Sequence, residues 1–351
     1  MTKIIKKSAT SIAVCASLVT SAFCAQSQLG LPDEVMAHIT DLAKEGSPLV
    51  FDRAQQGDPE AMIQMGYTCE LQGKLDDAYR WFKKASDLGH PFGQYSVAMF
   101  HFKGMNVTHN PSLAASLMEK SARQGLPLAE HMYGWFLLRG IGVEQNTRKA
   151  MKWLHSAADH NYPPAKGELG EIYWKGNYVK PNLTISRNFL VEGADAGDPL
   201  SQGNLGEFYL SKGNQFEKSI GWDLIKKGAD GGDPKAMFLY ATHLKESATP
   251  NNSPLPEEAL QFMIRSAMNG FPDAEVLIGA SLLNEFDNNQ QAFQRARRFL
   301  TDAAVQKHPV AMYYLGTMYQ TGKGVSKDSL RAKTWFAKSC DAGYKKACSL
   351  K

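Results

Sequence analysis

A single punctuation mark, Gly-x-Pro-x-small, recurs along this chain at almost constant intervals, and that repetition narrows the possible folds more than any other feature. It stands at Gly57-Asp58-Pro59-Glu60-Ala61, Gly89-His90-Pro91-Phe92-Gly93 and Gly125-Leu126-Pro127-Leu128-Ala129. It returns at Gly197-Asp198-Pro199-Leu200-Ser201, Gly232-Asp233-Pro234-Lys235-Ala236 and Gly270-Phe271-Pro272-Asp273-Ala274. Two copies lack the glycine, Asn161-Tyr162-Pro163 and Lys307-His308-Pro309, and the last, Gly343 to Ala347, lacks the proline. The chemistry is that of a corner between helices. Glycine takes the left-handed position that ends one helix, the next residue caps the following one, and proline fits its first turn. Asp58, Asp198 and Asp233 suit the cap because a carboxylate accepts from the free amides of that turn.

The small residue after each proline makes a ruler: Ala61, Gly93, Ala129, Ala165, Ser201, Ala236, Ala274, Ala311 and Ala347, with spacings of 32, 36, 36, 36, 35, 38, 37 and 36. Five residues after each of the first eight comes Gly or Ala: Gly66, Ala98, Gly134, Gly170, Gly206, Ala241, Gly279 and Gly316. A second small row follows at Ala78, Ala114, Ala150, Ser186, Gly221, Ala259, Ala296 and Ala332. Three residues beyond it stands a large one: Trp81, Leu117, Trp153, Phe189, Leu224, Phe262, Phe299 and Trp335. Small residues let two helices approach, and the large row is expected to fill the gap between them. A period of about 36 residues with two helices per unit predicts an all-α fold, an α-solenoid of helix-turn-helix repeats.

The pattern A-x3-L-G-x2-Y-x2-G-x-G-V…A-x2-W-x3-A/S resembles the Sel1-like repeat family, relatives of the tetratricopeptide repeats. Leu169-Gly170, Tyr173, Gly176 and Val179 match it, as do Gly140-Ile141-Gly142-Val143 and the stretch from Val310 to Ala347. The resemblance runs from Asp58 to Lys351 and implies a right-handed superhelix of eight repeats ending in a short C-terminal stub, over 58–351. Residues 26–57 are expected to form an N-terminal helical cap, with a helix from Pro32 to Lys44. Unit five shortens its loop to Lys212-Gly213-Asn214, unit six replaces it with the polar Ser247–Pro256 stretch, and unit seven has no glycine loop.

Residues 1–25 read as a secretory signal peptide. Lys3, Lys6 and Lys7 precede an apolar run from Ile12 to Ala25, too short to span a bilayer permanently. Cleavage after Cys24 places Ala22 and Cys24 at the small-residue positions, and cleavage after Ala25 is the alternative. A lipoprotein acylated at Cys24 is disfavoured by the bulk of Phe23. The expected destination is the periplasm, or secretion beyond it. Without the leader, Cys69, Cys340 and Cys348 remain, an odd count that leaves one thiol free in an oxidising compartment. Secreted members of the family with disulfides use a Cys-x7-Cys spacing to tie one helix to the next, so the resemblance implies a Cys340–Cys348 disulfide. Two buried apolar cysteines are the alternative. Cys69 takes the place of the family tyrosine (Tyr173, Tyr209, Tyr319) and is read as core.

No catalytic motif is present: no Gly-x-Ser-x-Gly elbow, no phosphate loop and no His-Glu-x-x-His. Gly322-Lys323-Gly324-Val325 joins two helices and follows no strand. The nine histidines are scattered, so no metal or cofactor is expected. A net charge of +4 is too small to indicate nucleic-acid binding. Asn106-Val107-Thr108 and Asn182-Leu183-Thr184 spell glycosylation sequons, but both lie in the repeat loop, where asparagine is expected as a turn former.

In related helical-pair solenoids the first helix lines the concave side. Residues two, six and nine places after the ruler would then face inward: Ile63, Tyr67, Tyr95, Met99, Phe102, His131, Trp135, Leu138 and Trp174, with Glu171 and Glu207 replacing aromatics further on. Lys103, Arg139 and Lys175 repeat beside them in the same register. Such an apolar, aromatic surface with a basic rim resembles a peptide groove, while packing between neighbouring first helices would bury part of the same set. The reading is a non-enzymatic exported scaffold for a protein or peptide partner, touching it through Tyr67, Tyr95, Met99, Phe102, Lys103, His131, Trp135, Arg139, Trp174 and Lys175. The rivals are a cell-wall-directed enzyme, after the β-lactamase label some cysteine-rich relatives carry, and a binder of glycan or peptidoglycan fragments with Trp135 and Trp174 stacked on sugar rings.

Overall fold

The computed structural model describes residues 48–247, 256–285 and 289–351. The leader, the helix expected at Pro32–Lys44 and the centre of the polar stretch in unit six lie outside them. The described residues form two compact units, 48–193 and 194–351. They contain seventeen α-helices and no strand, so the fold is an all-α helical repeat solenoid.

The first unit opens with α1 (Pro48–Gln55). Four helix pairs follow: α2 (Pro59–Leu71) with α3 (Leu75–Asp87), α4 (Pro91–Lys103) with α5 (Pro111–Ala122), α6 (Pro127–Arg139) with α7 (Thr147–Asp159), and α8 (Pro163–Lys175) with α9 (Leu183–Asp195). The second unit holds four more pairs: α10 (Pro199–Lys212) with α11 (Gln215–Asp230), α12 (Pro234–Ser247) with α13 (Glu257–Met268), α14 (Pro272–Glu285) with α15 (Gln290–Val305), and α16 (Pro309–Thr321) with α17 (Ser329–Asp341). A single 3-10 turn, Lys345–Ala347, follows α17.

Each corner is built as its residues dictate. Proline is the first residue of every first helix. Asp198 caps α10 by accepting from Ser201 N at 2.7 Å, and Asp233 accepts from Ala236 N at 2.6 Å. Where glycine is missing, Asn161 (φ 55°) and Lys307 (φ 64°) adopt the left-handed conformation themselves. Asparagine does so at little cost, whereas lysine bears strain of order 1–3 kcal/mol. The described residues of the ruler row, including Ala61, Ala129, Ala165, Ala236, Ala274 and Ala311, are wholly buried.

The gap at each helix crossing is filled by the residue one place beyond the predicted large row. A Cβ on Gly66 would meet the Phe82 ring at 2.5 Å, one on Gly134 would meet Leu154 at 2.9 Å, and one on Gly316 would meet Phe336 at 2.6 Å. Phe82, Met118, Leu154, Leu190, Ile225, Leu300 and Phe336 are all buried. Trp81, Leu117, Trp153, Phe189, Leu224, Phe299 and Trp335 are only half-buried, and Phe262 alone of that row is inside. The prediction that the tryptophan row plugs the crossings is therefore corrected: it flanks them. Lys84 lies over Trp81 at 4.2 Å and Lys338 over Trp335 at 4.7 Å, each one helical turn on.

Two further devices lock the repeats. The residue after the ruler meets a side chain near the end of its own pair's second helix. Gln124 donates to Gln94 at 2.9 Å, His160 lies 2.8 Å from Glu130, and Gln306 reaches Glu275 at 3.4 Å. The repeat loop leans on the preceding pair. A Cβ on Gly142 (φ 65°) would stand 2.0 Å from the Pro111 carbonyl oxygen at the start of α5. At the same loop position one repeat earlier, Asn106 (φ 53°) donates to Asp76 at 3.4 Å. The other sequon asparagine, Asn182, caps α9 by accepting from Ile185 N at 3.1 Å. Both therefore serve as turn formers.

Candidate functional site

The ten residues read as a binding face sort by depth. Tyr67, Tyr95 and Met99 are only 2%, 3% and 5% exposed and belong to the apolar core of the first unit, so they are corrected from contact residues to packing residues. Tyr67 meets the Phe82 ring edge-on at 5.0 Å. Burial raises the Tyr67 and Tyr95 hydroxyls far above the ordinary tyrosine range, which keeps both neutral. Ile63 and Leu138 are buried with them. The cause is geometric: neighbours on both sides of a first helix cover a wide stripe of it, and these positions fall within that stripe.

The rest reach the surface. Phe102, His131, Trp135 and Trp174 are half-buried, and Lys103, Arg139 and Lys175 are exposed. Phe102 meets Trp135 edge-on at 5.9 Å, linking α4 to α6. The Arg139 guanidinium lies 4.3 Å above the Trp135 ring, one turn on along α6. On α8, Lys175 lies 5.7 Å from the Trp174 ring and bonds Glu171 at 2.6 Å. These cations sit in the last turn of helices closed by left-handed Gly104, Gly140 and Gly176, where positive charge complements the exposed carbonyls. His131 Nε2 lies 2.9 Å from Glu168 Oε2, and its ring is 5.5 Å from that of Tyr162.

The surface-reaching residues of α4, α6 and α8 are thus half-buried aromatics with cations beside Trp135 and Trp174, some matched by glutamates. They can present flat apolar and hydrogen-bonding groups at a regular pitch. Sequence reasoning missed Glu168 and Tyr162, which hold His131. Counting from the ruler would have found Glu168 one residue past Gly167, on the face of α8 that turns toward α6. Glu171 and Glu207, which replace aromatics in the row, are each engaged by a lysine, Lys175 for the first and Lys235, at 2.5 Å, for the second.

Cys69 is buried, and burial raises its thiol above the ordinary cysteine range. The Cys340 and Cys348 sulfurs lie 2.01 Å apart across the last corner. Among the described residues no cluster of three or more His, Cys, Asp or Glu side chains could hold a metal ion, and no helix is long and apolar enough to cross a membrane.

A family model described as the Sel1 repeat matches residues 59–90, 91–126, 127–162, 163–198, 234–271 and 309–344. The pairs α10–α11 and α14–α15 fall outside the matches yet have the same helical plan. Among solved structures, the chain is similar to a Sel1 repeat protein from Oxalobacter formigenes, with 22% identity, TM-score 0.47, and coverage of 89% of this chain and 92% of that one. It is also similar to a protective antigen of uropathogenic Escherichia coli strains displaying an SLR fold, with 20% identity, TM-score 0.43, and coverage of 85% and 80%. An immunity protein of Pseudomonas aeruginosa matches at 18% identity and TM-score 0.42, over 63% of this chain and 82% of that one. No curated protein matches the chain.

Proposed function

Since the chain belongs to the Sel1 repeat family, whose members are typically protein-interaction scaffolds, we propose that it is an exported, non-enzymatic scaffold that holds a protein or peptide against the Phe102–Trp135–Trp174 face. One observation carries the reading. Trp135, half-buried between Phe102 at 5.9 Å and Arg139 at 4.3 Å, is a rigid, surface-reaching anchor of the kind that dominates interface energetics. Neighbouring repeats place Phe102 and Trp174 in the same first-helix row, so a partner is read at several points. Arg139 already covers one Trp135 face, which favours a protein ligand over a stacked sugar.

Export follows from the basic and apolar pattern of residues 1–25, with the periplasm as destination. The proximity of Cys340 and Cys348 supports a disulfide in that compartment.

The test is co-purification from the cell envelope of the native chain and of a Trp135→Ala/Arg139→Ala variant. A stoichiometric protein present with the first and lost with the second supports the scaffold. A bound glycan, or turnover of a chromogenic lactam by the purified chain, would replace it with one of the rivals.

A further inference from the structure

After α17 the chain turns the corner of a further repeat and forms a single 3-10 turn. Gly343 (φ 98°) turns the corner, Tyr344 takes the extended cap position, and Lys345–Ala347 form one 3-10 turn where a first helix would start. Ala347 lies on the ruler row and is 0% exposed, as Ala311 is one repeat earlier. It packs on Ala332 and Phe336, with Tyr313, Tyr319, Cys340 and Tyr344 around it. In the preceding repeat Ala296 and Leu300 share a core cluster with Ala311 and Leu315 in the same register. The turn therefore occupies the place of a ninth first helix, on a face built to receive one.

Its own hold on that face is slight. Tyr344 N donates to Ser339 O, and Ala347 N to Tyr344 O, each at 3.0 Å. So short a helical segment does not persist unaided in water. Lys345, Lys346 and Cys348 are exposed. Besides the packing of Ala347 and Tyr344, the tether is the sulfur pair, Cys348 to Cys340 on α17.

We infer that Cys340 and Cys348 form a redox latch: oxidised, they pin the turn over the Ala332–Phe336 face, and reduced, they let it lift and bare that face. The inference rests on the disulfide of the proposed exported state. The step is exchange with a dithiol reductant. The Cys340–Cys348 sulfur bond breaks, the reductant's two thiols join as a disulfide, and two protons and two electrons pass to the cysteine sulfurs. Attack at Cys348 is the open route, since Cys340 is half-buried. The bared face would show Tyr313 and Phe336, whose rings lie 5.7 Å apart, without the Tyr344 ring now 5.2 Å from Tyr313. It would fit a helix start with a small residue directed inward, as Ala347 is directed now.

The test uses the chain as isolated from the envelope. A non-reducing tryptic digest should contain residues 339–345 linked to 347–351. Hydrogen exchange is then followed with and without a dithiol. Amides of Tyr344 to Cys348 should exchange at least tenfold faster after reduction, with Pro59–Leu71 unaffected, and Cys348→Ser should exchange fast in both conditions. Absence of the linked peptide overturns the disulfide reading and the latch with it. A linked peptide with equal protection in both conditions overturns the latch alone, because packing of Ala347 would then suffice.

Discussion

Gly170 and Leu190 are in contact so close that a Cβ on Gly170 would stand 2.5 Å from Leu190 Cγ. Real Cβ atoms do not approach other heavy atoms that closely, so α8 and α9 are spaced for a glycine. Gly170→Ala should destabilise the chain, and Gly170→Leu should do so more strongly, in the range of about 1–3 kcal/mol for overpacking. Leu190→Ala alone should cost about 2–5 kcal/mol through the cavity it leaves. Combining Gly170→Ala with Leu190→Ala should cost less than the sum, because each change relieves the other. Urea titration of the four proteins measures the coupling, and strict additivity would contradict the contact.

A second prediction concerns the loop. At Gly142 the left-handed backbone and the adjacent Pro111 carbonyl both exclude a side chain. Gly142→Ala should cost at least the roughly 1 kcal/mol of the unfavourable backbone alone. The helix end at Gly140, whose Cβ would have 3.5 Å to its nearest neighbour, should tolerate Asn better than Gly142 does. Thermal melts of Gly140→Asn and Gly142→Asn compare the two sites directly.

The contribution of Glu275 to stability should fall as pH rises from about 5 to about 8. Burial, then the charge of Asp302, raises the Glu275 carboxyl to about 7. Its unfolded counterpart titrates in the ordinary glutamate range. Between those values the native state keeps a proton that the unfolded state has released, so rising pH favours unfolding. Asp302 is also raised, chiefly by burial, and adds in the same direction. Glu275→Gln keeps an amide for Gln306 and should recover roughly 1–3 kcal/mol near pH 8 while changing little near pH 5. Denaturant titrations at the two pH values decide it; an equal gain at both would show that charge is not the cause.

The aromatic face yields the fourth. Arg139→Ala removes a cation lying over Trp135, an exposed interaction of about 0.5–1 kcal/mol. The melting temperature should therefore move only slightly, while affinity for the co-purified partner falls by a larger factor. Calorimetry of binding alongside a thermal scan separates the two quantities.

The corners were legible because Gly, Pro and the capping aspartates each have one local reason to stand where they do. The small rows were legible because a helix crossing restricts them in every copy. The residue filling each crossing was not. Trp81 and Phe82 lie three and four places after Ala78, and both offsets fall on the same helical face. Only the position of α2 decides that Phe82 points at Gly66. The binding face was half legible for a related reason. Positions two and six after the ruler carry aromatics whether they face a groove or a neighbouring helix, as Tyr67 and Tyr95 show by being inside. Arg139 over Trp135 could be anticipated from their four-residue spacing, but the link from Trp135 to Phe102 crosses between repeats.

The side-chain pair that joins the two helices of a repeat changes its chemistry from one repeat to the next: amide with amide at Gln94 and Gln124, carboxylate with imidazole at Glu130 and His160, carboxylate with amide at Glu275 and Gln306. The backbone plan stays the same while this contact varies. In these three repeats the first helix thus carries a distinct contact for its own second helix, which gives neighbours a reason not to exchange partners while the chain folds. An array of interchangeable units risks registering one repeat late. Here a slip of one repeat would set Glu130 against Gln124, leaving His160 without its carboxylate.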